Sequence, residues 1–164
     1  MAKKKTSHKT NAIRIIEQQK LPYQEYEFAW SEDHLGAEAV AASLGIPADK
    51  IFKTLVIVGN KTGPLVAVIP GNKELDLKKV AKASGNKKVE MLPLKDLEAT
   101  TGYIRGGCSP VGMKKLLPTY LAEEAKAFST IIVSAGKRGM QIEIDPEAIL
   151  FLTKGHLASL TAKA

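Results

Sequence analysis

Apolar and polar positions change period several times along the chain, and each change marks an element. Two runs rich in β-branched residues, 51–58 and 65–69, are separated by Gly59-Asn60-Lys61-Thr62-Gly63, which predicts an antiparallel hairpin. A second hairpin is predicted where residues 130–134 and 140–144 flank Ala135-Gly136-Lys137-Arg138-Gly139. Alternation over 23–28 predicts another strand, Val89, Met91 and Leu92 a short one, and residues 118–121 a short edge strand. Helical spacing fills the intervals. Ile13, Ile16 and Leu21 follow a cap at Thr10 or Asn11 and stop at Pro22, and residues 37–44 are rich in helix formers and stop at Gly45. Leu77, Val80, Ala81 and Ala83 put a helix over 76–84, closed by Gly85 and Asn86, and residues 94–99 add a helical turn or two. Asp145 and Pro146, in cap and first-turn positions, open a last helix over 147–152.

Hairpins with helices between them lack the regular strand-helix alternation of a doubly wound sheet. The expected fold is therefore α+β, a single domain with a curved mixed β-sheet or barrel surrounded by helices, over residues 11–160 behind a basic flexible tail at 1–10. A chain of 164 residues with 45% hydrophobic composition supports one buried core, not two comfortable ones. Its longest apolar runs are strand-sized, well short of the roughly 20 residues that cross a bilayer. Residues 1–5 are basic but no apolar signal core follows, so the expectation is a cytoplasmic protein with no membrane partner.

One cysteine, Cys108, excludes an intrachain disulfide framework and a zinc site of paired thiolates. His8, His34 and His156 begin no metal-ligand spacing, so neither metal nor cofactor is expected. A net charge of +7 favours a polyanionic partner. Lys73, Lys78, Lys79, Lys82, Lys87 and Lys88 concentrate that charge, and Glu74, Asp76 and Glu90 dilute it only in part. Such a cluster suits RNA or a solvated helix face equally.

Two features could carry chemistry. Residues 102–112 read Gly-Tyr-Ile-Arg-Gly-Gly-Cys-Ser-Pro-Val-Gly, and glycine without a Cβ lets Gly106 and Gly107 turn backbone N–H groups toward a negative oxygen, unless the segment is only a turn. Lys53 lies among Ile51, Phe52, Leu55 and Val56. It either faces solvent through period-two alternation, binds an anionic or carbonyl oxygen, or acts as a base or amine nucleophile. No Ser-His-Asp or Cys-His constellation accompanies them, which weighs against a simple esterase.

Phe52-Lys53-Thr54-Leu55, Leu75-Asp76-Leu77-Lys78-Lys79-Val80-Ala81, Thr101-Gly102-Tyr103, Gly106-Gly107 with Ser109-Pro110, and Lys137-Arg138-Gly139 follow one another in this order. In these motifs, over about residues 11–157, the chain resembles the YbaK proteins, aminoacyl-tRNA deacylases related to the editing domain inserted in bacterial prolyl-tRNA synthetases. The resemblance implies an enzyme that removes cysteine from mischarged tRNA(Pro) and from Cys-tRNA(Cys), in which the substrate's own thiol attacks its ester carbonyl. It implies mischarged tRNA as partner, a transient complex with prolyl-tRNA synthetase, and no DNA.

By the same resemblance Lys53 positions and stabilises the aminoacyl end, Gly106 and Gly107 address the oxyanion, and Phe28, Leu35, Ser109, Ser134 and Gln141 contact substrate. Phe28 stands where relatives can carry tyrosine, Gln141 where they can carry aspartate, and Cys108 where they can carry an aliphatic residue. A non-catalytic tRNA- or synthetase-binding module, and a deacylase for another small aminoacyl-tRNA such as Ala-tRNA(Pro), are the alternatives.

Overall fold

The structure is a computed structural model, and it describes residues 9–27 and 37–162. Phe28 and Leu35 lie outside the described residues.

Helix α1 (Asn11–Gln18) is capped by Thr10, whose hydroxyl accepts the Ile13 N–H and itself donates to the Ala135 carbonyl at 2.5 Å. Lys9 pairs with Glu17 at 2.5 Å, so the last two residues assigned to the tail belong to the folded body. After β1 (Tyr23–Glu27) and α2 (Ala37–Leu44), the hairpin of β2 (Phe52–Gly59) and β3 (Gly63–Pro70) forms as its β-branched runs require. Helix α3 (Leu77–Ser84) starts where the Asp76 carboxylate accepts the Lys78 and Lys79 N–H groups, and stops at Gly85 in the left-handed region with φ 76°. The remaining elements are β4 (Val89–Met91), α4 (Leu97–Thr101), β5 (Thr119–Ala122), β6 (Ile131–Lys137), β7 (Met140–Ile144), α5 (Pro146–Thr153) and β8 (His156–Ala158).

Strands β1, β7 and β6 form an antiparallel three-stranded sheet, and β4-β2-β3-β5-β8 a mixed five-stranded one. A parallel bridge between Ile51 and Ile132 links them, which gives the curved α+β architecture. Two expectations fail. Strand β5 is not an edge: it lies between β3 and β8 and is parallel to both, because the chain reaches it by a long crossover from β3 and returns to β8 only after β6, β7 and α5. The β6–β7 connection is shorter than five residues, since β6 runs on through Lys137 with an irregularity after Ser134, where Gly136 takes φ 101°. The strand β8 after α5 is a further element beyond those read from periodicity.

The main core lies between the sheets and α1 and α3, and holds Ile13, Ile16, Leu65, Val80, Leu121, Ile142 and Ile149, among others. A second cluster lies beneath α2 and comprises Val40, Ala41, Ile51 and Ile132, with Tyr26 packed against it. The three-stranded sheet is thus covered on both faces, by different material.

Candidate active site

The second face of that sheet carries most of the chemistry. Ile51 and Ile132 are parallel bridge partners and share the α2 cluster, so residues two further along each strand, Lys53 and Ser134, leave on the same face. Ser134 is directly opposite Gln141 in β7, and Gln141 is opposite Tyr26 in β1. Directly opposed residues in an antiparallel pair share a face. Lys53, Ser134, Gln141 and Tyr26 therefore form one row across four strands, although they are scattered over more than a hundred positions of sequence.

Each member of the row has a different electrostatic state. Lys53 is half-buried and has no ion-pair or hydrogen-bond partner among the described residues. Gln141 is buried, and its Oε1 accepts nothing. An unpartnered buried acceptor costs about 1–3 kcal/mol, and this oxygen has no donor among the described residues. The Ser134 hydroxyl accepts the Gly136 N–H at 3.1 Å, which fixes the end of β6 and leaves its own proton available.

Beside the row, Glu143 collects three donors: Lys50 Nζ at 2.6 Å, Thr130 Oγ1 at 2.5 Å and Tyr26 Oη at 2.6 Å. The Lys50 ammonium first, then the two hydroxyls, hold its carboxyl down at about 2. The same hydrogen bond to Glu143, with burial second, pushes the Tyr26 phenol up. Glu143 is therefore a saturated anion that braces the sheet, whereas Gln141 is an unsatisfied neutral acceptor two residues away.

The glycine segment approaches from the β6–β7 turn. Gly107 donates its N–H to the Ile104 carbonyl at 2.9 Å, closing a turn in which Gly106 takes φ 86° at the third position, as a type II turn requires. A Cβ on Gly107 would sit 3.0 Å from both the Arg138 N and the Lys137 carbonyl carbon, so only glycine lets the loop lie against the hairpin. Arg138 Nε fastens it by donating to the Arg105 carbonyl at 2.8 Å. The Gly107 N–H is already engaged, whereas those of Gly106 and Cys108, like those of Ile104, Arg105, Ser109 and Gly112, have no partner among the described residues.

Ser109 is fully buried and its hydroxyl accepts the Val111 N–H at 3.2 Å, so it shapes the loop. Cys108 packs with Val56 and Tyr103, and burial pushes its thiol up to about 11, although the Thr101 hydroxyl pulls the other way. At neutral pH it is a packed thiol, a poor nucleophile.

Of the residues singled out from sequence, the fold joins Lys53, Ser134 and Gln141, sets Gly107 against the adjoining hairpin turn with Gly106 in the turn before it, and holds Ser109 inside the loop. Tyr26, Lys50, Thr130 and Glu143 were missed. No motif marks them; only the β1–β7–β6 register brings them together. Thr54 was quoted only as part of a motif, yet its buried Oγ1 also lacks a partner. By alternation it belongs to the face opposite Lys53, with Val56.

Known proteins share this architecture. The family model for the aminoacyl-tRNA editing domain matches residues 32–152. EbsC of Enterococcus faecalis, to which a Cys-tRNA(Pro)/Cys-tRNA(Cys) deacylase activity is ascribed, is 78% identical over 163 residues, covering 99% of each chain. The proline–tRNA ligase of Nitratidesulfovibrio vulgaris strain Hildenborough is 34% identical over 100 residues, which is 61% of this chain and 17% of that enzyme. A crystal structure described as a candidate trans-editing enzyme for prolyl tRNA synthetase superposes with a TM-score of 0.80 at 25% identity, covering 93% of this chain and 96% of the other. Lys53, Ser134 and Gln141 of the row and the loop against the hairpin fall inside the matched region, Tyr26 precedes it, and this chain belongs to the aminoacyl-tRNA editing domain family.

Proposed function

We propose that this protein is a trans-editing deacylase that removes cysteine from Cys-tRNA(Pro) and Cys-tRNA(Cys). The observation that carries the reading is the row itself: among the described residues the Lys53 ammonium and the buried Gln141 acceptor have no partner, and no activated nucleophile stands beside them. A site so built binds and orients; the attacking atom must come with the substrate.

Cysteine supplies one. Its Sγ attacks the ester carbonyl carbon, forming the C–S bond of a cyclic thioester; the bond from that carbon to the ribose oxygen breaks, and the thiol proton passes to the departing ribose hydroxyl. Holding the aminoacyl group in attack geometry is worth about 7–11 kcal/mol for well-oriented intramolecular reactions. In this reading Lys53 stabilises charge on the aminoacyl-adenosine end, Ser134 donates its remaining proton, and Gln141 accepts from the substrate α-ammonium. The Gly106 and Cys108 N–H groups take the oxyanion role that Gly107, engaged within its turn, does not. Phe28 and Leu35, which lie outside the described residues, are proposed as substrate contacts on the strength of the family relationship.

Such editing is needed because cysteine and proline differ little in size, and an apolar pocket separates near-isosteres by only about 1–3 kcal/mol. The relationship to prolyl-tRNA synthetases supports a transient complex with that enzyme, and among the described residues no helix is long and apolar enough to cross a membrane, which accords with work in the cytoplasm.

A deacylation panel tests the proposal. Cys-tRNA(Pro) should be deacylated with release of the cyclic thioester, while Ser-tRNA and Ala-tRNA, which lack a thiol, should persist. Rapid hydrolysis of Ala-tRNA(Pro) would require an activated water and would replace this mechanism. Salt-sensitive tRNA binding without turnover of any substrate would leave a binding module in its place.

A further inference from the structure

The lysines concentrated between residues 61 and 88 are arranged by the fold into a track. Helix α3 begins near the Lys53 end of the β2–β3 hairpin: Gly71 N–H donates to the Ile51 carbonyl at 2.7 Å, and Lys73 N–H to the Pro70 carbonyl at 3.1 Å, with Pro70 opposite Phe52. It finishes at the hairpin's tip. There the buried Asn86 side chain accepts the Lys61 and Thr62 N–H groups at 2.8 and 3.1 Å and donates to Thr62 and Ser84 hydroxyls. Asn60 reciprocates, its side chain accepting the Lys87 and Lys88 N–H groups at 3.0 and 2.9 Å.

These clamps hold exposed lysines in order: Lys73 at the pocket end, Lys78 and Lys82 one turn apart on α3, then Lys87, Lys88 and Lys61 together at the tip. None of the six is in an ion pair with a described residue, and only Glu74 and Glu90 are exposed carboxylates among them. Lys79 is different, since its Nζ is tied to the Thr161 carbonyl at 2.7 Å. A solvated helix face needs no such fixing. The bonds fix the backbone from which the Lys61, Lys87 and Lys88 side chains extend, so the spacing of these ammonium groups is set before a row of phosphates arrives.

From Lys53 to the tip of β2 is about 20 Å at about 3.3 Å per residue. A stacked nucleic-acid strand covers that distance in roughly six nucleotides at about 3.4 Å each. We propose that the track from Lys73 along α3 to Lys61, Lys87 and Lys88 binds the phosphate backbone of the substrate's acceptor arm, reaching past its single-stranded 3′ end to the first base pairs. This rests on the deacylase reading for which end enters the pocket, but its test does not depend on turnover.

The experiment measures binding of uncharged tRNA(Pro) transcript by wild-type protein and by K82A/K87A/K88A across a salt series, and deacylation of cysteinyl-tRNA(Pro) and of 3′-O-cysteinyl-adenosine. The triple variant should bind transcript at least about tenfold more weakly, with a salt slope shallower by roughly 2–3. It should treat the cysteinyl-adenosine as wild type does, and K82R/K87R/K88R should restore binding. Unchanged affinity and slope in the alanine variant would overturn the track, as would loss of prolyl-tRNA synthetase association with tRNA binding intact. Deacylation absent from wild-type protein, with lysine-dependent tRNA binding present, would sink the catalytic reading and leave the track standing.

Discussion

The two faces of the β1–β7–β6 sheet are made by alternate residues of the same strands, yet they are built for opposite ends. One face presents Ile131, Val133, Met140, Ile142 and Ile144 to the main core, every one buried and apolar. The other presents Thr130, Ser134, Gln141, Glu143 and Tyr26, with Ile132 as the apolar residue under α2. The first gains stability by removing hydrocarbon from water, about 25 cal/mol per Å². The second gives some of it up, because Gln141 buries an acceptor with no donor among the described residues. The comparison teaches that a rigid apolar face lets its reverse hold polar groups in fixed places without collapsing around them.

That division can be tested by breaking each face separately. On the core face, Ile142→Ala should cost about 2–5 kcal/mol in denaturant unfolding, since it removes a fully buried side chain. On the other, Lys53→Ala should leave the melting temperature close to wild type and lower kcat/KM for Cys-tRNA(Pro) by about 100-fold or more. A large melting shift for Lys53→Ala with activity retained would reverse the assignment of faces.

Gln141→Leu separates the two roles within one residue. Removing the unpartnered oxygen should hold or raise the melting temperature, while kcat/KM falls by about tenfold, the worth of one hydrogen bond to substrate. A destabilised Gln141→Leu would mean that the oxygen is already satisfied in the folded protein.

Glu143 gives a smaller effect and a pH signature. Its folded pKa of about 2 lies below the ordinary 4.5, so its contribution to stability is present above that ordinary value and is lost as pH falls toward 2. Glu143→Gln should cost about 1 kcal/mol at neutral pH and flatten the acid limb of the stability curve between about pH 5 and pH 2. Cys108→Ala should change least, leaving turnover unaltered, because the thiol is buried and protonated at neutral pH.

Much of this was legible in the chain. The helix starts at Thr10, Asp76 and Asp145 are local hydrogen-bonding choices, and both hairpins follow from β-branched runs with glycine-bearing connections. Lys53 and the Gly106–Gly107 pair stand out because a lysine in an apolar strand and a dense glycine segment are each locally unusual. Strand β8 and the interior place of β5 were not legible, since three or four residues of strand carry little periodicity and parallel pairing is set by distant partners. The same holds for Glu143, an ordinary surface carboxylate in sequence until Lys50, Thr130 and Tyr26 arrive from three other segments.

The sequence alone determined most of the elements, the main core and the residue types available for chemistry, because capping, turn formation and periodic burial act over a few neighbours. The tertiary structure decided which of those residues meet. It turned Lys53, Ser134, Gln141 and Tyr26 into one row through strand register and a single parallel bridge, and it committed the Gly107 N–H to its own turn. Register and long-range pairing are collective outcomes of packing the whole chain, so no local pattern could have supplied them.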